Sequence, residues 1–483
     1  MNYKAVLGII GKCMVILALF MLIPMVVGFI YNEDTFISFL IPIASLFAIG
    51  FPLTKIKGKE KSIYAKEGFV SVALVWIIMS LFGALPFVIS GAIPNYIDAL
   101  FETVSGFTTT GASIMTNVEI LNKSLGFWRI FTHFIGGMGV IVFVLAVLPS
   151  DSGAMHIYRA ESPGPSASKL VSKMSHTARI LYLIYIGLMV IEIIFLLFSG
   201  IGFYDAVVCS LSTAGTGGFS IYNDSIAHYN NTYVEMVIAT FMFLFGVNFN
   251  VFYLILIGNV SKALISEELR AYLIIVVVST LLIAVNILSS CLNFGEAIRY
   301  SFFQVTAISS STGFVSADFD KWPAFSKAII GFLLITGACG GSTGGGLKVS
   351  RVCILIKSTI SDLKRVFNPR AVVTTKFEGK PLTKENENSV KAYFIVWVII
   401  VVLSTLLLSL DSFAQSDLFT NFSASLTCIG NVGPGFNLVG PTCNFSGYSA
   451  FSKILLSIVM LIGRLELFPM LILFSVRTWK KAG

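Results

Sequence analysis

Four short stretches of this chain share one chemistry: "SGFTTTGAS" at 105–113, "STAGTGGFS" at 212–220, "ISSSTGFVS" at 308–316 and "CIGNVGPGF" at 428–436. None holds an Asp, Glu, Lys or Arg, so each offers only neutral oxygens. Glycine lets a backbone take angles closed to other residues. Successive carbonyls can then face one way and replace the hydration shell of an ion. Uncharged oxygens suit a weakly hydrated monovalent cation better than a divalent one. Aligned on one glycine, the stretches give Gly111, Gly217, Gly313 and Gly433, preceded by Thr110, Thr216, Thr312 and Val432. Val432 has no hydroxyl, so the fourth stretch supplies backbone oxygen alone there.

A second feature is "GACGGSTGGGLK" at 337–348, inside an apolar run. A phosphate-binding loop needs GxxxxGK[ST], and here Leu347 separates Gly346 from Lys348 and Val349 follows. Next to an ion path, Gly340, Gly341, Ser342, Thr343, Gly344, Gly345 and Gly346 suggest a movable constriction, because glycine changes shape at little steric cost. The competing reading is a static kink filled by neighbouring helices. Arg464 lies in a third place, within "IVMLIGRLELFPMLILF". An ionised residue in a span is costly and faces a cavity or a partner. It could oppose cations beside the path, or pair with Glu466 or Glu192; Glu466, two positions on, is on another helix face. The four His (His133, His156, His176 and His228) show no catalytic grouping and read as structural. The seven Cys include no CxxC pair and read as small buried hydrophobes, with a Cys428–Cys443 bridge left open. An enzyme is not expected.

Segments that expose backbone oxygens in this way must be held by protein at membrane depth, and the composition agrees. The chain is 56% hydrophobic and 12% charged, with mean hydropathy +0.87, about half the charge of a soluble domain. A span needs about 20 apolar residues. Ten are expected: 5–30, 35–54, 68–92, 127–148, 180–200, 233–260, 271–291, 326–357, 392–410 and 450–476. The first is too long for a signal h-region and lacks a small-residue cleavage site. Basic residues gather in the 55–66 loop, the 149–179 loop, the 348–391 loop (ten basic, four acidic) and the tail with Arg477, Lys480 and Lys481. With ten spans these fall on one side, which makes it cytoplasmic, with both termini inside. The net charge of +8 therefore signals topology and contact with anionic membrane lipids, and no nucleic acid partner is expected. Opposite loops carry Asp98, Asp205, Asp224, Glu296, Asp318 and Asp417, which either enrich cations at a mouth or act as helix caps and solvated loop residues.

The last eight spans pair around the four stretches, each preceded by an apolar half-helix too short to cross. The expected fold is an all-α polytopic membrane protein: four pseudo-repeated span, pore-helix, filter, span units around one axis, plus two extra N-terminal spans. The divisions are 1–66, the two-span segment; 67–179 and 180–269, the first two units; 270–390, the third with its interrupted span and basic loop; and 391–483, the fourth. Each half-helix would aim its partly negative C-terminal end at the shared axis, which favours a cation.

These motifs resemble the Trk/Ktr/HKT superfamily of potassium transporters, and within it the bacterial TrkH-type subunits. The resemblance covers nearly the whole chain: "GGMG" from Gly136 to Gly139, "RAESPGP" at 159–165, "STGFVSADF", "GGSTGGGLK", "GNVGPGF" and "GRLELFP" at 463–469. It implies four channel-like units with potassium on the axis, and filter oxygens from Thr110, Gly111, Thr216, Gly217, Thr312, Gly313, Val432 and Gly433. Some plant members carry Ser at the first glycine and favour sodium; Gly111 marks the potassium-preferring kind. The family also implies that 340–346 blocks conduction below the filter with Arg464 beside it. It implies a homodimer in a bacterial inner membrane, K+ as the transported ion with no organic cofactor in this chain, and a TrkA-like cytosolic ring that binds nucleotide. Passive permeation and symport with protons or sodium both remain open, although the filter stretches hold no Asp, Glu, His, Lys or Arg for a proton route.

Overall fold

In the computed structural model the described residues are 1–56, 65–139, 174–370, 373–413 and 417–479. The "RAESPGP" stretch, His156, the tail lysines, the end of the expected span 127–148 and part of each of the three internal basic loops lie outside them. The chain is predominantly helical. Helices α1 (Tyr3–Ile30) and α2 (Phe36–Thr54) pack along each other, and α1 also packs on α3 (Ala65–Gly83), which α4 (Leu85–Ile89) continues. After α5 (Tyr96–Phe107) and α6 (Lys123–Met138) come α7 (Met174–Leu197), α8 (Phe203–Gly215), α9 (Thr232–Phe245), α10 (Phe249–Leu256) and α11 (Val260–Ile265). Next are α12 (Glu267–Ile287), α13 (Phe294–Ser309), α14 (Ala324–Thr336) and α15 (Val349–Phe367). A hairpin of β1 (Lys376–Phe377) and β2 (Lys380–Pro381) precedes α16 (Lys384–Leu408), α17 (Leu418–Gly430), α18 (Ala450–Arg464) and α19 (Phe468–Phe474).

Among the described residues, six helices are long and apolar enough to cross a bilayer, or seven counting one bent pair. Their outer faces carry exposed Ile37, Leu183, Val285 and Leu406, as expected where acyl chains replace water. Four helices differ. α5, α8, α13 and α17 have 12, 13, 16 and 13 residues, so at about 1.5 Å per residue they are too short to span. Side-chain caps set three of their starts: Asn95 accepts from the Ile97 N–H, Asn293 from Glu296 and Asp417 from Phe419. Their C-terminal halves are buried nearly all round, polar residues included. The helix after each packs on the next in the set: α6 on α8, α9 on α13, α14 on α17 and α18 on α5. The order returns to its start, so the four short helices enclose one centre.

Three expected spans are not continuous. The run 233–260 bends by 92° between α9 and α10. The Phe245 and Gly246 carbonyls at the bend accept from Thr343 Oγ1 (3.2 Å) and the Cys339 N–H (3.1 Å) rather than from the next helical turn, and Asn248 caps the new helix. The run 326–357 stops at Thr336 and resumes at Val349. Its second half, α15, is an amphipathic helix reaching Phe367, so the described part of 348–391 is mostly helix and hairpin where a basic loop was expected. The run 450–476 breaks after Arg464, where Glu466 and Leu467 take positive φ of 53° and 66°.

Candidate functional site

The four neutral stretches meet at the ends of the four short helices. Each helix terminates alike: an N–H reaches back five residues to a carbonyl of its last turn. The pairs are Thr110 to Ser105 (2.9 Å), Gly217 to Ser212 (3.0 Å), Thr312 to Ala307 (2.8 Å) and Val432 to Thr427 (3.0 Å). The residue before each, Thr109, Thr216, Ser311 or Asn431, is left-handed, with φ of 52–59°. The residue after each is a glycine with positive φ: Gly111, Gly218, Gly313 and Gly433.

These bonds correct the expected register of the second stretch. Gly217 stands with Thr110, Thr312 and Val432, and Gly218 stands with the other three glycines. Thr216 falls one step earlier, level with Thr109. The Thr216–Gly217 dipeptide imitates Thr110–Gly111 in composition only. The signal that finds the register is aromatic: Gly218–Phe219 matches Gly313–Phe314.

The stretches close a ring. A Cβ built on Gly111 would overlap the Gly217 carbonyl oxygen, one on Gly218 that of Thr312, and one on Gly313 that of Val432. One on Gly433 would lie 2.6 Å from the Thr110 oxygen. Each stretch thus lays its glycine on its neighbour's carbonyl, and the last meets the first. Positive φ and this close approach together admit only glycine at the four positions. On one side of the ring is a cavity of about 440 Å³ lined by the four glycines, Asp224 and Asp318. Of the other loop carboxylates singled out from the sequence, Asp417 caps α17 and Asp98 pairs with Lys453 at 2.7 Å.

The glycine-rich stretch lies on the other side. The Gly345 N–H donates to Ser311 Oγ (2.6 Å), and Cβ atoms built on Gly344 and Gly345 would come within 2.7 Å of the Ser310 carbonyl oxygen and 2.6 Å of that of Gly430. The loop is tied at both ends by Glu268 on α12, whose Oε1 accepts from the N–H groups of Gly340 (2.7 Å) and Ser350 (3.1 Å). Gly341 accepts from the Phe249 N–H (3.0 Å), and Lys348 Nζ donates to the Gly344 carbonyl within the loop.

Arg464, at the end of α18, donates to the Thr343 carbonyl (2.7 Å) in this loop, and to the carbonyls of Gly137 (2.6 Å) and Gly136 at the end of α6. It therefore bridges loop and frame. Glu466 pairs with Arg351 instead, whose guanidinium lies 4.0 Å from the centre of the Tyr393 ring. Gly340, Gly341, Ser342, Thr343, Gly344, Gly345, Gly346 and Arg464 are thus brought to one place directly against the ring. Sequence reasoning missed Glu268 and a second buried pair behind the ring, Arg129–Glu102 at 2.6 Å. Both hold charge in or beside apolar runs, the feature that drew attention to Arg464. Cys428 and Cys443 are free thiols.

Comparison with known proteins matches residues 36–481 to the family model "TrkH: Cation transport protein". The chain is 33% identical over 495 residues to the Trk system potassium uptake protein TrkH of Escherichia coli K12, covering all of both chains. It is 32% identical over 490 residues to TrkG of the same organism, covering 99% of each. Among solved structures it is similar to the crystal structure of the potassium transporter TrkH from Vibrio parahaemolyticus, with a TM-score of 0.89, 29% identity, and coverage of 99% of this chain and 100% of that one.

Proposed function

Since the chain belongs to the TrkH family of cation transport proteins, we propose that it takes up potassium across a bacterial inner membrane through the ring formed by its four neutral stretches. The observation that carries this reading is the closed ring of carbonyls from Thr110, Gly217, Thr312 and Val432, each bounded by a positive-φ glycine. Such oxygens can stand in for the hydration shell of K+. The C-terminal ends of four buried helices add partial negative charge at the same centre. Gly111, Gly218, Gly313 and Gly433 form the outer edge of the filter, and Thr216 lies on its inner side.

In this reading the chain is ten spans: the two-span segment 1–66, then four units, 67–179, 180–269, 270–390 and 391–483. Both termini face the cytoplasm. The loop 340–346 is the gate, held shut by Glu268 and Arg464. The names of the relatives place them in a multi-component Trk system, which supports a TrkA-like cytosolic ring as regulator, with nucleotide sensing in that partner. The assembly is a homodimer embedded in membrane lipid.

The test is rubidium uptake into proteoliposomes, with sodium as competitor and a pH dye inside. Rubidium flux that sodium barely inhibits, without proton movement, is expected. Flux stoichiometric with protons would replace permeation with symport on the same fold. Absence of flux both with and without the regulator would overturn the proposal.

A further inference from the structure

The four ring positions are not supported in the same way. Thr110, Thr312 and Val432 carry β-branched side chains, which stiffen the backbone whose carbonyl they flank. The Thr110 and Thr312 hydroxyls are also tied, to the hydroxyls of Thr108 (2.8 Å) and Ser310 (2.7 Å). Thr110 Oγ1 further accepts from Asn431 Nδ2 (3.0 Å). The fourth position is Gly217, the residue type with the most backbone freedom. No side chain of its own holds its carbonyl.

The missing volume is occupied by a residue from another unit. A Cβ built on Gly217 would overlap Cγ, Cδ2 and Nδ1 of His133, which lies on α6 and is fully buried. Two residues earlier, a Cβ on Gly215 would overlap the His133 carbonyl. Both glycines let α6 seat against this stretch. The imidazole is held at both nitrogens: Nδ1 is 2.7 Å from the Gly106 carbonyl of α5, and Nε2 is 3.2 Å from the Phe219 nitrogen. An amide N–H can only donate, so Nε2 accepts from Phe219 and Nδ1 carries the hydrogen that it donates to Gly106. The ring therefore sits in one neutral tautomer, packed on the Phe219 ring at 4.3 Å. One turn away on α6, Arg129 donates to the Ser220 carbonyl (3.0 Å) and covers the Phe219 ring at 3.5 Å.

We infer that His133 is a specificity-determining residue of the filter: it positions the Gly217 carbonyl, supplying from the first unit the rigidity that the other ring positions draw from their own side chains. The inference rests on the proposed reading of the ring as the potassium filter. Where a carbonyl ring selects by size, its discrimination between K+ and Na+ depends on not shrinking around the smaller ion. Without the imidazole, the Phe219 N–H loses its acceptor and Gly217 borders a void. Its carbonyl is then free to move inward toward sodium.

The experiment is rubidium uptake into proteoliposomes of the whole protein with graded sodium, comparing wild type, H133A and H133A/G217V. Gly217 does not have positive φ, and the three atoms nearest a Cβ built on it all belong to the imidazole, so removing that ring opens room for a side chain there. In H133A, sodium should inhibit about tenfold more strongly, the scale of one lost hydrogen bond to a buried group. H133A/G217V should regain most of the discrimination, a rescue that general destabilisation does not produce. Wild-type discrimination in H133A, or a double variant no better than the single one, overturns the inference. If H133A does not fold, H133N carries the same test. It keeps a donor for Gly106 but not the acceptor for Phe219, and unchanged discrimination there also overturns the inference. A wild-type protein that fails to prefer rubidium over sodium sinks the filter reading itself, which separates the two failures.

Discussion

Replacing Arg464 by Ala tests whether the glycine-rich loop is a gate that this side chain holds shut. Among the guanidinium's bonds are one to the loop, at the Thr343 carbonyl (2.7 Å), and two to the end of α6, at Gly136 and Gly137. Of these three, the first links moving part to frame and enters the open–closed balance directly. A hydrogen bond from a charged donor is worth about 1.5–3 kcal/mol. Removing it should shift the closed-to-open ratio by roughly 10- to 150-fold, since about 1.4 kcal/mol is a factor of ten. The assay is basal rubidium flux in proteoliposomes without a regulator, with protein folding checked by thermal unfolding and size exclusion. R464A should leak at least about tenfold faster than wild type on that estimate. R464K keeps the charge but not the planar fork that spans two sites, and should fall between them. If R464A is folded and leaks no more than wild type, the side chain is only a structural brace and the latch argument fails. If R464K behaves as wild type, charge rather than the bridge is what matters.

Three further perturbations probe the same site. Gly111→Ser and Gly218→Ser each place an L-residue in left-handed geometry, at about 1–2 kcal/mol, and push a side chain into the neighbouring carbonyl. Both should weaken discrimination against sodium in competition assays, and wild-type selectivity in both would refute the ring. Deleting 341–345 should raise unregulated flux; a folded protein with no extra leak would count against the gate. Glu268→Ala strips the acceptor from two buried N–H groups, at about 1–3 kcal/mol each. It should raise basal flux more than Glu268→Gln, which keeps an acceptor oxygen; equal flux in the two variants would remove Glu268 from the latch.

Much of this was legible in the sequence because it rests on local chemistry. Four charge-free, glycine-bearing stretches between apolar runs announce exposed backbone at membrane depth, and "GACGGSTGGGLK" cannot be a regular helix. The register of the second stretch was not legible from composition, since Thr216–Gly217 and Gly217–Gly218 both offer a plausible glycine; the hydrogen bond from Gly217 to Ser212 decides between them. The bend at Gly246 was hidden because Gly246, Asn248 and Asn250 sit inside a run that is otherwise as apolar as a straight span; its cause is a set of bonds to a loop about 90 residues later, as from Thr343 to Phe245. His133 gave no signal of its own. A single His in an apolar run acquires meaning only when the glycine whose space it fills is known.

The four short helices belong to one chain, and their order closes on itself. In a pore assembled from identical subunits, any substitution is repeated at every quarter, and a change tolerable once must be tolerated four times. Covalent linkage removes that multiplication. Under the proposed four-unit reading, the third unit breaks its second span after Thr336 while the second and fourth supply Phe245 and Arg464 as abutments, and the first anchors Arg464 at Gly136. Selection can then edit one quadrant at a time: glycine at 217 with an imidazole behind it, asparagine at 431, valine at 432. Under the proposed reading, a graded series of ion preferences is reachable by single substitutions, each altering one ligand in four, where a symmetric pore would move in steps of four.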